Sequence, residues 1–524
     1  MAFRLNHPVV CLLACLPSLW SVADSGNLLV VPVDGSHWLN IRTLIQELGR
    51  RGHSIVVVAP AVNMNISPGP HYTTKLYPVP YNQSDIQAVK PHVLVKQTFY
   101  NTVTTTFKKV NKLKHFLLVT CESLLYNTGL MRELAESAFD ALLTDPFTSC
   151  GAIVAESLSL PSVHILRGLP CGLDYTSAQC PRPVSYVPRM FTGNSDRMNF
   201  LQRTANFLMS VTEPLLCYLI YSPFDELAAR FLQKEVTVKE LLSRGAIWLL
   251  RFDFVFEYPR PLMPNMILVG GMNCKKRNPL PQEFEEFVNS SGDPGVLLFS
   301  LGSMVSDLPV EISNGIAAAL GQIPQKVLWR HTGEKPSTLA PNTKLIDWMP
   351  QNDLLGHPKI RAFISHGGIN GIYEAICNGV PMVMVPLFGD QPDNVAHIVD
   401  RGAGVALNIH QMSSDDLLDA INVVVNDTRY KENMMRLSSL HNDRPVEPLD
   451  LSVHWVEFVM KHKGAEHLRS AAHELNWIQY QCLDVGGFLL AIVLVSVGFM
   501  AKCCSFCCRK CLCRTRNVKR NKSD

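Results

Sequence analysis

The chain has 524 residues, 47% of them hydrophobic and 18% charged, with a formal net charge of +3. This balance excludes a disordered or fibrous protein, and the length points to more than one domain. The weak net charge excludes a global basic field of the kind that gathers nucleic acid, so no nucleic-acid partner is expected.

In chain order, residues 1–23 come first. Arg4 gives a positive start, 9–22 is mostly apolar, and Ser-Val-Ala at 21–23 supplies small residues at a cleavage spacing. This is the pattern of a secretory signal peptide. Next, NLLVVPV (27–33) reads as a buried strand and is followed by Asp34-Gly35-Ser36. Leu39, Ile41, Leu44, Ile45 and Leu48 then repeat at helical spacing, and SIVVVAP (54–60) is a second strand. Strand, helix, strand in so short a stretch is the βαβ unit of a doubly wound sheet.

The second half repeats the theme. VLLFS (296–300) precedes Leu301-Gly302-Ser303 and a helix expected near 309–321. VLWR (327–330), KLID (344–347), AFIS (362–365) and MVMVPL (382–387) read as further buried strands. A Pro- and Gly-rich stretch at 258–281 marks the join. The expected organisation is two Rossmann-like α/β domains, 24–265 and 283–440, on either side of a linker at 266–282 and facing each other across a cleft. Residues 441–484 read as helices leading to a membrane.

VGGFLLAIVLVSVGFMA (485–501) is uncharged and at the short limit for a transmembrane helix. Residues 465–484 hold one Lys or Arg, and 502–521 hold seven. That asymmetry orients the tail, 502–524, toward the cytosol and the body toward the lumen, as a single-pass type I protein. Arg520 and Lys522 resemble a basic retrieval signal of the endoplasmic reticulum. Asn65, Asn82, Asn289 and Asn426 each open an N-x-Ser/Thr triplet and are glycosylation candidates. Of the sixteen cysteines, Cys11 and Cys15 lie in the signal segment, and eight in the body are free to form disulfides whose pairing the sequence leaves open. Six crowd the tail at 503, 504, 507, 508, 511 and 513. Their place beside the span among basic residues suits acylation, while the two-residue gaps leave a zinc site open.

The chemistry concentrates in 348–394. Strand 362–365 ends in Ser365-His366-Gly367-Gly368, and a helix begins near Asn370. Free N–H groups at a helix start favour an anion, and glycines let phosphates approach. His366 can donate to a phosphate oxygen. Glu374 can accept ribose hydroxyls, Trp348 offers a flat face for a base, and Gln351 can read a base edge. Asp390 and Gln391 follow a strand end, where they can bind sugar hydroxyls. A second pair, His37 and Asp145, stands beyond the ends of two strands, suited to a base and the carboxylate that fixes its tautomer.

In this order, the block resembles the signature of the UDP-glycosyltransferase superfamily. With DRPVEPLD (443–450) and the membrane tail, the chain is similar to vertebrate UDP-glucuronosyltransferases, most of all to their first family. The resemblance implies a GT-B fold, donor binding in the C-terminal half and acceptor binding in the N-terminal half. It puts Trp348 and Gln351 on uracil, and Ser303, His366, Gly368 and Asn370 at the diphosphate. Glu374 falls on the ribose, and Asp390 and Gln391 on the transferred sugar. His37 becomes the base and Asp145 its support. Arg251, in WLLRFDF, is a candidate for the carboxylate of a glucuronate donor.

The expected activity is inverting transfer of glucuronic acid from UDP-glucuronic acid to hydroxyls of lipophilic molecules such as phenols, steroids, bile pigments and xenobiotics, a detoxification role. UDP-glucose, UDP-xylose and UDP-N-acetylglucosamine stay open as donors. No cofactor or metal is expected, and no Asp-x-Asp occurs in the chain. Segments 85–120 and 170–220 are expected to line the acceptor pocket and touch the membrane, and homo- or hetero-oligomers are open. A non-catalytic membrane-bound ligand-binding protein is the remote alternative, disfavoured because His37 and Asp145 are both present. A dinucleotide oxidoreductase lacks its G-x-G-x-x-G after the first strand, where 34–39 reads DGSHWL.

Overall fold

A computed structural model describes residues 25–520 except 91–98, 275–276, 303 and 306–307. The signal segment, Ser303 and Lys522 lie outside the described residues.

Residues 25–468 form one compact unit built on two all-parallel sheets. The first contains β1 (Asn27–Val31), β2 (Ser54–Pro60), β3 (Thr73–Tyr77), β4 (Ala141–Thr144), β5 (Ser162–Leu166), β6 (Ile247–Leu250) and β7 (Met266–Leu268), in the order β3-β2-β1-β4-β5-β6-β7. The second contains β8 (Val296–Ser300), β9 (Lys326–Arg330), β10 (Thr343–Ile346), β11 (Ile360–Ser365), β12 (Met382–Met384) and β13 (Gly404–Ala406), in the order β10-β9-β8-β11-β12-β13. Central strands such as β4 and β8 are buried at every position. Both faces of a parallel sheet are covered, so such strands are continuously apolar.

Strand alternation sorts the core into layers. Leu28 and Val30 join one cluster, with the helix Ser36–Arg50; Leu29 and Val31 join another on the opposite face. That second cluster runs on into Leu298 and Phe363 of the other sheet, so the two halves share a core. Leu297 and Phe299 pack on the far face of the second sheet.

Several expectations need correction. The stretch 266–282 is not linker throughout: Met266–Leu268 is a strand paired with β6, Leu250 opposite Leu268. The strand expected at 382–387 ends at Met384: Pro386 has no N–H to offer a ladder, and the N–H groups of Leu387 and Phe388 go to the Gln391 side chain instead. Nor does 441–484 simply lead away. Its helix Pro448–His462 returns to the first sheet, where Val453, Val456, Val459 and Met460 pack with Leu28, Leu143 and Ile165. An apolar stripe at helical spacing needs a sheet to cover it, and this one finds β4, β5 and β6. Arg51–Asp450 (2.6 Å) and His53–Glu457 (3.1 Å) flank the contact.

Among the described residues three disulfides form, Cys121–Cys150, Cys171–Cys217 and Cys274–Cys377. The second unit begins at Arg469. Its main helix, Leu483–Arg520, starts two residues before the expected span and runs on through the basic segment; residues 483–510 are long and apolar enough to cross a membrane and none of the apolar window is buried. In the first unit, the helix Phe200–Leu232 passes the same length and composition test, and exposes Phe207, Leu208, Leu215 and Leu219.

Val456→Ala should lower stability by about 2 kcal/mol, through lost burial and a residual cavity. Urea unfolding of the full chain in detergent checks this. An unchanged midpoint would mean that the helix Pro448–His462 does not stabilise the first sheet.

Candidate active site

In each sheet the strand order reverses once. In the first it reverses between β1 and β4, where Val31 pairs with Thr144; in the second between β8 and β11, where Ser300 pairs with Ser365. Crevices at such switch points, beyond the carboxyl ends of strands, are where open α/β sheets bind ligands. A cleft of about 1190 Å³ is lined by residues from both edges.

At the first switch point, the turn after β1 needs Gly35, whose φ is +77°, and the helix Ser36–Arg50 begins at once. Asp34 accepts from the N–H of Met64 (2.5 Å) and Asn65 (3.1 Å), which ties the turn to the neighbouring loop. Trp38 is fully buried against Tyr72 and pins the helix start. His37, one residue earlier, therefore faces the cleft with its side chain 33% exposed. Its Nδ1 lies 2.6 Å from Asp145 Oδ2. Asp145 is buried just past β4, and its Oδ1 accepts from Phe147 N–H at 2.9 Å. An ionised carboxylate only accepts, so Nδ1 carries the proton and Nε2 is left as the acceptor.

At the second switch point, β11 ends and Gly368 caps the helix Ile369–Cys377. His366 lies between two glycines: a Cβ on Gly302 would come within 2.6 Å of its ring and one on Gly368 within 2.5 Å. Gly302 also has φ +82°. Burial pushes the His366 imidazole down to about 4, against the pull of Asp390, so it is neutral at pH 7; its Nδ1 has no hydrogen-bond partner among the described residues. Trp348 is 64% exposed, with the Arg330 guanidinium 5.7 Å from its ring centroid. Gln351 Nε2 donates to Glu374 Oε2 at 2.5 Å. Burial pushes the Glu374 carboxyl up to about 7, and the Gln351 hydrogen bond opposes this.

Asp390 and Gln391 begin the helix Gln391–Asp400. Asp390 Oδ2 accepts from Asn394 at 2.8 Å. Gln391 spends its carbonyl on the N–H groups of Leu387 and Phe388, so its amide N–H₂ is the group left for a ligand. Arg251, buried just past β6, donates to Asn370 Oδ1 at 2.5 Å and so bridges the two edges. Burial pushes its guanidinium down to about 10, countered by Asp145 and Asp390, which leaves it charged at pH 7.

The cleft thus brings together His37, Asp145, Arg251, Trp348, Gln351, His366, Gly368, Asn370, Glu374, Asp390 and Gln391. The four glycosylation candidates are exposed; Asn65 borders the cleft through its N–H to Asp34, Asn82 caps the helix Gln83–Val89, and Asn289 bonds Glu285. Of the segments expected to line an acceptor pocket, Phe116 and Thr120 do so, as do Tyr175 and Arg189.

Sequence reasoning missed Arg167. It follows β5 directly, pairs with Glu257 at 3.0 Å and donates to Asn394 at 3.2 Å; Glu257 in turn meets His397 at 2.7 Å. The apolar run SVHIL just before it was the available signal, by the same strand-end rule that found Asp145. Among the described residues, Cys274, Cys377 and His441 lie close enough to hold a metal, but the two sulfurs are joined to each other.

Solved structures that superpose on the chain include glycosyltransferases. The glycosyltransferase VinC in complex with dTDP superposes with a TM-score of 0.58 at 18% identity, covering 83% of this chain and 100% of that one. CalG4, the calicheamicin glycosyltransferase, gives 0.55 at 18% identity, covering 84% and 98%. The fold is GT-B. The family model described as "UDP-glucoronosyl and UDP-glucosyl transferase" matches residues 26–518, and the chain belongs to that family of enzymes. It is 55% identical to UDP-glucuronosyltransferase 1A1 of Rattus norvegicus, over 98% of this chain and 96% of that protein. It is also 55% identical to UDP-glucuronosyltransferase 1A1 of Homo sapiens (95% and 94%) and 52% identical to UDP-glucuronosyltransferase 1A6 of Homo sapiens (96% and 95%).

The family resemblance assigns Glu374 to the ribose; ribose hydroxyls donate hydrogens, so that assignment needs the ionised carboxyl. With its carboxyl at about 7, UDP should bind more tightly as pH rises through that value. Below it the carboxyl must lose a proton on binding, and affinity falls by up to about 10-fold per pH unit. Calorimetry across this range on the wild type and Glu374→Gln checks it. The ratio of the two affinities cancels the titration of UDP itself, and a ratio that does not change with pH would remove Glu374 from the ribose.

Proposed function

We propose that the protein transfers glucuronic acid from UDP-glucuronic acid to hydroxyl groups of lipophilic small molecules, with inversion, giving β-glucuronides. The observation that carries the mechanism is His37 Nδ1 held 2.6 Å from buried Asp145. Relatives 55% identical over nearly the whole chain are named glucuronosyltransferases, which supports the donor.

His37 Nε2 takes the acceptor hydroxyl proton, and Asp145 stabilises the imidazolium. The acceptor oxygen forms its bond to the anomeric carbon on the face opposite UDP. The bond to UDP breaks, and its electron pair passes to the diphosphate. Free N–H groups at the start of the helix Ile369–Cys377 favour the charge that develops there. This route assigns no step to a metal. Trp348 and Gln351 hold uracil, Glu374 the ribose, His366, Gly368 and Asn370 the diphosphate, and Asp390 and Gln391 the sugar; Ser303 joins the diphosphate by family resemblance alone. Arg251 is a buried cation for which no carboxylate ion pair is formed among the described residues, at a rim it shares with Asn370. That suits the extra carboxylate of a glucuronate.

The asymmetry of basic residues around 485–501 supports a lumenal body and cytosolic tail, and the likeness of Arg520 and Lys522 to a basic retrieval signal supports the endoplasmic reticulum membrane.

A donor panel on permeabilised microsomes with a simple phenol, product identified by mass, tests the reading. Transfer from UDP-glucuronic acid is expected. Transfer only from UDP-glucose or another UDP-sugar would overturn the donor. His37→Ala should cost roughly 10²–10⁴-fold in kcat with UDP affinity unchanged. Arg251→Met should lower kcat/KM for UDP-glucuronic acid by about 10- to 100-fold, the worth of a charged hydrogen bond, and move UDP-glucose little. Equal losses on both donors would take Arg251 off the carboxylate.

A further inference from the structure

We infer that the tail is a lipid-modification site: Cys503, Cys504, Cys507 and Cys508 carry long-chain acyl groups in thioester linkage. The inference rests on the membrane orientation proposed above, which puts this segment in the cytosol. All four thiols are free and exposed. They lie on the same helix as the apolar run, two to seven residues beyond Ala501.

The helix sorts these residues by face. At about 100° per residue, the four cysteines fall within an arc of about 140°. Lys502 and Arg509 fall on the opposite side, and Lys510 turns its ammonium toward the Phe506 ring, 5.0 Å from its centroid. One side therefore offers the thiols and the other Lys502 and Arg509, while Lys510 stands at the edge of the thiol arc, about 20° from Cys503. A span of seventeen uncharged residues reaches roughly 25 Å as a helix, slightly short of the roughly 27 Å hydrocarbon layer of the endoplasmic reticulum. Acyl chains on the thiol face would fold back into the bilayer and supply the missing apolar surface. The basic face would stay against anionic headgroups.

The donor class is a long-chain acyl-coenzyme A. A cysteine thiolate attacks the acyl carbonyl, the bond to coenzyme A breaks, and the proton leaves with the coenzyme A thiol. One thioester replaces another, so no oxidant or reductant is needed.

The test uses the full chain in cultured animal cells fed an alkynyl fatty acid. Acyl groups are cleaved with hydroxylamine and exchanged for a mass tag that counts them. The same microsomes, kept sealed, are treated with protease to place the tail. The expected result is a protease-accessible tail bearing hydroxylamine-labile label that is lost when all four cysteines become Ser. Cys482→Ser, on the other side of the span, should leave the label intact. An accessible tail without label, or label that persists in the four-serine variant, overturns the inference while leaving the topology standing. Stoichiometric zinc on the purified full chain in place of label also overturns it. A protected tail overturns both readings. Transfer activity of the four-serine variant in detergent should match the wild type, which separates this site from the catalytic one.

Discussion

The cleft depends on a buried ionic chain. Arg167, at the end of β5, meets Glu257, which meets His397 on the helix Gln391–Asp400, and Arg167 also reaches Asn394 on that helix. Arginine beside Glu257 holds its carboxyl well below the usual range despite burial. Breaking such a pair leaves an uncompensated charge, at a cost of about 3–5 kcal/mol. The chain therefore fixes the distance between the two sheet edges. Arg251–Asn370 and Asp253–His441 (2.5 Å) are further ties across the same boundary. A transfer reaction needs its donor and acceptor edges in a set relation, because misplacement of reacting atoms by even an ångström is expensive.

Within that frame, each edge is built from the same device. A parallel strand ends, a glycine turns the chain, and a helix begins. At β1 the device delivers His37, and at β11 it delivers the amide cradle around Gly368. The two edges differ in their charge. The first gathers Asp145 and His37, suited to moving a proton. The second gathers free N–H groups, suited to holding an anion. Burial then tunes the titrating groups in opposite directions: the His366 imidazole goes down and the Glu374 carboxyl goes up. Both shifts follow from desolvation of the charged form.

Much of this was legible in the sequence. The apolar runs 27–33, 54–60 and 296–300 read as buried strands because parallel strands are covered on both faces and leave no alternation to misread. His37 and Asp145 were legible as strand-end residues, and 365–370 as a glycine turn into a helix. Other parts were not. The helix Pro448–His462 looks the same in sequence whether it covers a distant sheet or leads to a membrane, since its stripe states only that a partner is needed. β7 is three residues long and lies in a stretch of Pro and Gly, so local composition hid it. Arg167 followed a short run that contains His164, an inward-facing histidine that breaks the apolar pattern.

The sequence by itself determined the kinds of element, the strand ends where ligands bind, the residue types available for proton transfer and anion binding, and the single apolar run near the C-terminus. Only the tertiary structure decided which of them meet. His37 and Asp145 are 108 residues apart, Arg167 and Asn394 are 227 apart, and Cys274 pairs with Cys377 across 103. Local propensity and periodicity act over a few residues. Partners at these separations are chosen by the order of strands in the sheets and by the shared core that sets one sheet edge against the other.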